Sequence, residues 1–330
     1  MKWLLIALVL PGCAWRLKIP RATYGNLQPL PLVHPSNDRQ RWYTPVQTEA
    51  GAQIFFIDTG YSRSTCDDDL IAALGLETRG KRHIAGEAGS VVVTKARLPP
   101  IELGGHTIEG LVCLVRDLDS TSSITNPHEV PIAGVLGIDA LRPFRVELDA
   151  AQAEIRLFDP NTVERLTRQQ ADTVHLKREQ AWGTRVRLPL MLGELETWPI
   201  IDTGASNTYI DGSRLGMVPS WTETGVQVRG TGPGGTITLD RNYFDVPSLH
   251  LGAHEFGPVT ITDRPQPSWE PGLLGLDILD DFTIELDFRG RAARLTPATT
   301  AARPSWREWM SREASHAMTI TPWPDNQSSD

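Results

Sequence analysis

The triplet Asp-Thr-Gly occurs twice in this chain, as Asp58-Thr59-Gly60 and Asp202-Thr203-Gly204. Each copy follows an apolar run, Ile54-Phe55-Phe56-Ile57 in the first case and Trp198-Pro199-Ile200-Ile201 in the second. A lone copy would be ordinary turn chemistry after a strand. At average residue usage the triplet should occur about 0.07 times in a chain this long, so two copies in matching surroundings point to chemistry. One carboxylate cannot be acid and base at once, whereas two that face each other and share a proton can. The ionised member takes a proton from a water held between them, and the protonated member hydrogen-bonds the carbonyl under attack. Such a site needs no metal, cofactor or nucleophilic side chain. It does need rigid positioning, since a displacement near 1 Å costs about a hundredfold in rate.

The elements that must supply this rigidity are themselves repeated. Downstream of the triplets stand Val135-Leu136-Gly137-Ile138-Asp139-Ala140-Leu141 and Leu273-Leu274-Gly275-Leu276-Asp277-Ile278-Leu279. Gly137 lies 79 residues after Asp58, and Gly275 lies 73 after Asp202. The same closing strand follows each, Phe144-Arg145-Val146-Glu147-Leu148-Asp149 and Phe282-Thr283-Ile284-Glu285-Leu286-Asp287. Turns at Ala50-Gly51 and Gly193-Glu194, then at Leu103-Gly104 and Leu251-Gly252, complete the parallel. One supersecondary unit of about a hundred residues is used twice. Short alternating runs bounded by Gly and Pro predict strands, with helical patterns only at Asp68–Leu74, Asp139–Leu141, Asp277–Leu279 and between the halves at Asn161–Ala171. The fold class expected is all-β, with two lobes and a cleft between them.

The paired motif resembles the aspartic peptidases, and most closely the retropepsin-like branch found in bacteria, here with both lobes on one chain as in pepsin. The resemblance spans roughly residues 41 to 297. Aspartic proteases are themselves the standard example of a carboxyl pair whose pKa values are driven apart. By resemblance, Asp58 and Asp202 form the catalytic dyad, and Thr59 and Thr203 hydrogen-bond across a pseudo-two-fold axis to hold the loops. Gly60 and Gly204 then let backbone approach the carboxylates. Tyr61 stands where many relatives have a small residue and could line a substrate pocket; Ala205 is ordinary at the matching place. Ser62 and Ser206 could hydrogen-bond near the loops or satisfy the local turn.

A bound substrate must be shielded from water. Two glycine-bearing stretches read as hairpins where such proteins carry flaps. The first runs from His83 to Val93 with Gly86 and Gly89; the second runs from Arg229 to Thr236 with Gly230, Gly232 and Gly234. A phosphate-cradling loop fits the second poorly, since it lacks the Lys-Ser/Thr ending and the strand-to-helix context, and an ordinary surface hairpin is the stronger alternative.

The chain ends suggest where the protein works. Met1 to Gly12 carry one positive charge and a short apolar core, the architecture of an export signal. Leu10-Pro11-Gly12-Cys13 resembles the bacterial lipobox, which makes Cys13 a lipid-attachment residue. The organisation expected is a signal peptide over 1–12, a proline-bearing tether over 13–40, lobes over 41–160 and 181–297 joined by 161–180, and a loose tail over 298–330. A net charge of −8 and a pI near 5.5 argue against a nucleic-acid partner. Cys66 aligns with Ile210 of the second repeat and reads as a small buried hydrophobe, although an exported protein could pair it with Cys113. No His/Cys group has metal-ligand spacing, and His83, His106, His128, His175, His250 and His254 read as structural or exposed. Together these features predict a monomeric aspartic endopeptidase acting on peptide or protein substrates. It would be lipid-anchored in the bacterial cell envelope and face the periplasm. The alternative is a catalytically silent peptide-binding lipoprotein of the same fold.

Overall fold

The computed structural model describes residues 20–33, 42–86, 89–118, 132–167, 169–170, 172–178, 185–229, 236–264 and 272–298. The expected signal peptide 1–12, Cys13, His128, the glycines Gly230, Gly232 and Gly234, and residues from 299 onward lie outside them. The all-β expectation holds, with 53 % of the structure in strands. Ten strands between Arg21 and Leu136 form one sheet; an eight-stranded and a four-stranded sheet are built between Lys177 and Leu274. A six-stranded sheet takes strands from both halves.

The strand Gly51–Ile57 shows why the motif strands read as unbroken apolar runs. It lies between Tyr43–Thr48 and Ile132–Leu136, which pair both of its edges, and every residue from Ala52 to Ile57 is buried, so both of its faces are covered as well. Phe55 and Ile57 enter the main core, while Ile54 and Phe56 pack on the opposite face with Val33, Tyr43 and Ile132. The expected short helices form at Asp68–Ala73, Ile138–Leu141 and Leu276–Leu279.

The two closing strands meet. Arg145–Asp149 pairs antiparallel with Phe282–Asp287, and Glu147 falls directly opposite Glu285. Like charges in that register repel, so each needs a partner. Arg156 reaches Glu147 at 2.6 Å and Asp149 at 2.8 Å, while Arg145 and Arg294 both bond Glu285. This charge-balanced seam joins the repeats through backbone as well as side chains.

Two sequence expectations need correction. The tether does not extend to residue 40 as loose chain, because residues 20–33 pack onto the body. Arg21–Thr23 pairs with His106–Glu109, and Leu30–Pro31 pairs with Glu154–Phe158. Leu30, Leu32 and Val33 are buried, and the Tyr24 hydroxyl donates to the Pro143 carbonyl at 2.9 Å. The prolines misled: Pro31 sits in an edge strand, where its missing N–H is not required. His106 is buried here, its Nδ1 accepting from the Gly25 N–H at 3.1 Å.

Likewise, no helix forms among the described residues of 161–171. The Asp159 carboxylate instead accepts from the Asn161 N–H at 2.9 Å, an Asx turn that diverts the chain. The backbone N–H of Leu166 is then drawn to Asp287 at 3.1 Å, and Thr173–His175 adds an edge strand beside Ala292–Pro297. Cys66 is fully buried as expected, and it is disulfide-bonded to Cys113, equally buried, with Cα atoms 5.5 Å apart. The bridge closes a 47-residue separation and stabilises the fold by roughly 2–4 kcal/mol, mainly by restricting the unfolded chain.

Candidate active site

Each Asp-Thr-Gly loop begins where a buried strand ends, and a second strand passes beside it. In the first half Ile132–Leu136 runs parallel to Gly51–Ile57 and antiparallel to Thr65–Asp67, the strand leaving the loop. In the second half Gly272–Leu274 stands in the same relation to Ile200–Ile201 and Tyr209–Ile210. The Asp58 N–H donates to the Leu136 carbonyl at 3.1 Å, and the Asp202 N–H to the Leu274 carbonyl at 3.0 Å. The next residue must be glycine. A Cβ on Gly137 would lie 2.8 Å from the Tyr61 carbonyl oxygen, and one on Gly275 would lie 2.5 Å from the Asn207 carbonyl oxygen. That crowding accounts physically for the apolar-apolar-Gly motif.

The two threonines lock the loops together reciprocally. The Thr59 N–H donates to Thr203 Oγ1 at 3.1 Å, and the Thr203 N–H donates to Thr59 Oγ1 at 3.1 Å. Each hydroxyl then donates across the axis at 2.8 Å, Thr59 to the Ile201 carbonyl and Thr203 to the Ile57 carbonyl. Both side chains are fully buried, so every polar atom of the exchange is satisfied without water.

The carboxylates meet over this knot. Asp58 is 7 % exposed and Asp202 9 %, and the two are hydrogen-bonded to each other. A Cβ on Gly60 would sit 2.3 Å from Asp202 Cγ, and one on Gly204 would sit 2.4 Å from Asp58 Oδ2. Each glycine therefore makes room for the carboxylate of the opposite half. Backbone donors steer the oxygens: the Tyr61 N–H reaches Asp58 Oδ1 at 2.9 Å and the Gly204 N–H reaches Asp202 Oδ1 at 2.8 Å.

Burial, reinforced by the neighbouring Asp202 charge, holds the Asp58 carboxyl well above the ordinary carboxylate range. Burial also raises Asp202, but the hydrogen bond from Asp58, the Gly204 and Ala205 N–H groups and the Arg185 charge all support its anion. Both carboxyls are thus raised, and the pair as a unit holds a proton to higher pH than a free aspartate would. An acid and a base stand side by side in one nearly dry site.

The supporting hydroxyls lie two residues beyond the expected Ser62 and Ser206. Ser64 donates to Asp139 Oδ1 through N–H at 2.9 Å and through Oγ at 2.8 Å, and its Oγ accepts the Gly137 N–H at 3.1 Å. Thr208 repeats this with Asp277 at 2.8 and 2.7 Å and with Gly275 at 3.0 Å. Each crossing strand is thereby bolted to its own Asp loop. The signal was present in the repeat: Ser64 and Thr208 stand six residues after their aspartates, and Asp139 and Asp277 two after their glycines.

Elsewhere the expected features separate. Arg79–Gly86 with Gly89–Arg97 and Trp221–Arg229 with Thr236–Val246 form the two glycine-bearing hairpins, each at the edge of its sheet. The carboxylates of Asp67, Asp68 and Asp69 cluster at a helix start, where Asp67 already accepts the N–H groups of Asp69 at 3.0 Å and Leu118 at 2.8 Å. That environment is a helix cap.

Residues 51–140, from the first motif strand to the helix beyond Gly137, match the family of aspartyl proteases. The match supports an aspartic peptidase. No curated protein matches the chain.

Proposed function

We propose that this chain is an aspartic endopeptidase in which a water held between Asp58 and Asp202 attacks a peptide carbonyl. Asp202 takes the water's proton while Asp58 donates to the carbonyl oxygen; the roles reverse as the amine leaves. The observation that carries this reading is the hydrogen-bonded pair of buried carboxylates on loops joined by the Thr59–Thr203 exchange. The aspartyl protease match over the first loop supports it further. The two edge hairpins act as flaps over a peptide lying between the halves, and one chain supplies both aspartates, so a monomer suffices.

Incubation of the soluble part with a diverse peptide mixture tests the reading. Hydrolysis is expected to be bell-shaped in pH, because one proton must stay on the pair. Both limbs shift upward, because burial raises both carboxyls and the two limbs report the titration of the pair. The optimum therefore lies at less acidic pH than for two unperturbed aspartates. A chelator should leave the rate unchanged, and a peptide analogue with a tetrahedral hydroxyl at the scissile position should block it. Hydrolysis that is indifferent to that analogue and still rising at the most acid pH tested would remove the dyad from the chemistry.

The setting proposed is the periplasmic side of a bacterial envelope, with the mature chain beginning at a lipidated Cys13. The lipobox-like Leu10-Pro11-Gly12-Cys13 and the preceding apolar core support it. Labelled fatty acid is expected to enter the wild type and to be lost in Cys13→Ala. Label retained by that variant would exclude the anchor.

A further inference from the structure

The pseudo-two-fold axis that pairs Asp58 with Asp202 also pairs Tyr61 with Ala205, and here the symmetry of the site breaks. The two backbones are held alike. The Tyr61 N–H donates to the Asp58 carbonyl at 3.2 Å and the Ala205 N–H to the Asp202 carbonyl at 3.2 Å. The Tyr61 carbonyl accepts from Ile138 at 2.8 Å and the Ala205 carbonyl from Leu276 at 2.9 Å. Only the side chains differ, an aromatic ring against a methyl group.

The ring is fixed at its far end as well. Its hydroxyl hydrogen-bonds Arg116, which closes the strand Val112–Arg116 and is only 8 % exposed. Tyr61 keeps partial exposure and does not belong to the buried core. Burial and the charges of both Asp58 and Asp202 push the phenol's pKa up, which agrees with a ring standing close to the carboxylates. The loop pins the Tyr61 backbone, and Arg116 beside the ring favours this placement over one turned away from the dyad.

On the peptidase reading above, we propose that Tyr61, positioned by Arg116, occludes the first-half flank of the scissile bond while Ala205 leaves the second-half flank open. The substrate is then a peptide with a small residue on one side of the cleaved bond and a bulky apolar residue on the other. Tyr61 is a specificity-determining residue, and Arg116 is a positioning residue that acts through it.

Three peptides of equal length, differing only in a central Phe–Ala, Ala–Phe or Phe–Phe pair, separate the possibilities, with cleavage sites mapped by mass spectrometry. The wild type is expected to favour one mixed order over Phe–Phe by roughly tenfold or more in kcat/KM, the scale of misfit in a tight pocket. Tyr61→Ala should raise Phe–Phe relative to that peptide by a similar factor, and Arg116→Met should move the ratio the same way by less. A ratio between substrates is insensitive to partial unfolding, which lowers both rates together. Wild-type enzyme that cuts Phe–Phe as well as the mixed peptides, or a Tyr61→Ala ratio unchanged, overturns the proposal while leaving the peptidase reading intact. Absence of all cleavage overturns the peptidase reading instead. The size selection is then read from fluorescence anisotropy of the same labelled peptides on the Asp58→Asn variant, where equal affinities for all three would overturn it.

Discussion

Replacing either Asp58 or Asp202 with Asn is expected to lower kcat by at least about 10²- to 10⁴-fold, the range that positioned acid–base groups supply. The same substitutions should leave the protein no less stable above mildly acid pH, and in fact more stable. The sign follows from the protonation states. Both carboxyls are raised above the ordinary aspartate value of 3.8, so the folded chain keeps protons that the unfolded chain has already released. As pH climbs from that value toward the folded-state values, the wild type loses stability, and Asn, which does not titrate, loses none. The gap between variant and wild type should therefore be absent near pH 3 and open as pH rises toward neutrality. Peptide hydrolysis at the optimum, together with urea melts at acid and neutral pH, measures both halves of the claim. A variant that still cuts, or one that melts earlier than the wild type at every pH, would show that the pair serves the fold instead of the reaction. The stability half also bears on the silent peptide-binder. A binder gains nothing from two buried acids whose ionisation lowers stability as pH rises, and selection would be free to discard either one.

Much of this site was legible because it is local and repeated. Asp58, Thr59 and Gly60 are adjacent, their second-half counterparts repeat them, and the apolar-apolar-Gly segments recur at similar distance. The strands around them were legible too, since a strand covered on both faces must read as an apolar run, as Gly51–Ile57 does. What escaped were contacts made across long sequence separations. Nothing near Tyr61 in the chain announces Arg116, and nothing near Ser64 announces Asp139; each pair forms only when the sheet brings distant strands together. Comparing the two repeats column by column would have exposed Ser64 and Thr208, because a hydroxyl recurs there at equal offset. The same comparison could not expose Tyr61, whose partner Ala205 breaks the repeat. Residues 20–33 failed for a different reason: proline count is a property of composition, whereas Leu30 and Leu32 are buried because an edge strand of the six-stranded sheet was open to receive them. Asn161–Ala171 carries a helical pattern, but among its described residues no helix forms; the Asx turn at Asp159 is local side-chain bonding that competes with one.

Gly204→Ala is expected to cost about a hundredfold in kcat with little change in KM. The methyl would arrive 2.4 Å from Asp58 Oδ2 and 2.5 Å from its Cγ, well inside contact distance. Something must move, and the loop cannot easily retreat. Thr203 beside it is held by two bonds to Thr59 and Ile57, and the Asp202 N–H is held by Leu274. The Asp58 carboxylate is the freer party, so it shifts by an amount on the order of 1 Å, the displacement that costs about 10² in rate when reacting groups are aligned. Overpacking of this kind also destabilises by roughly 1–3 kcal/mol. Gly60→Ala should do the same through Asp202, whose Cγ lies 2.3 Å from the added atom. Gly75→Ala is the control: it adopts φ +61 with nothing within 4 Å of the added methyl, so it should cost about 1–2 kcal/mol in strain and leave kcat alone. Steady-state kinetics and urea melts on the three variants therefore separate loss of stability from loss of alignment. If Gly204→Ala folds normally and keeps kcat within a small factor of wild type, the opposing carboxylate is not where its glycine makes room for it. The two halves would then not be joined at a working dyad.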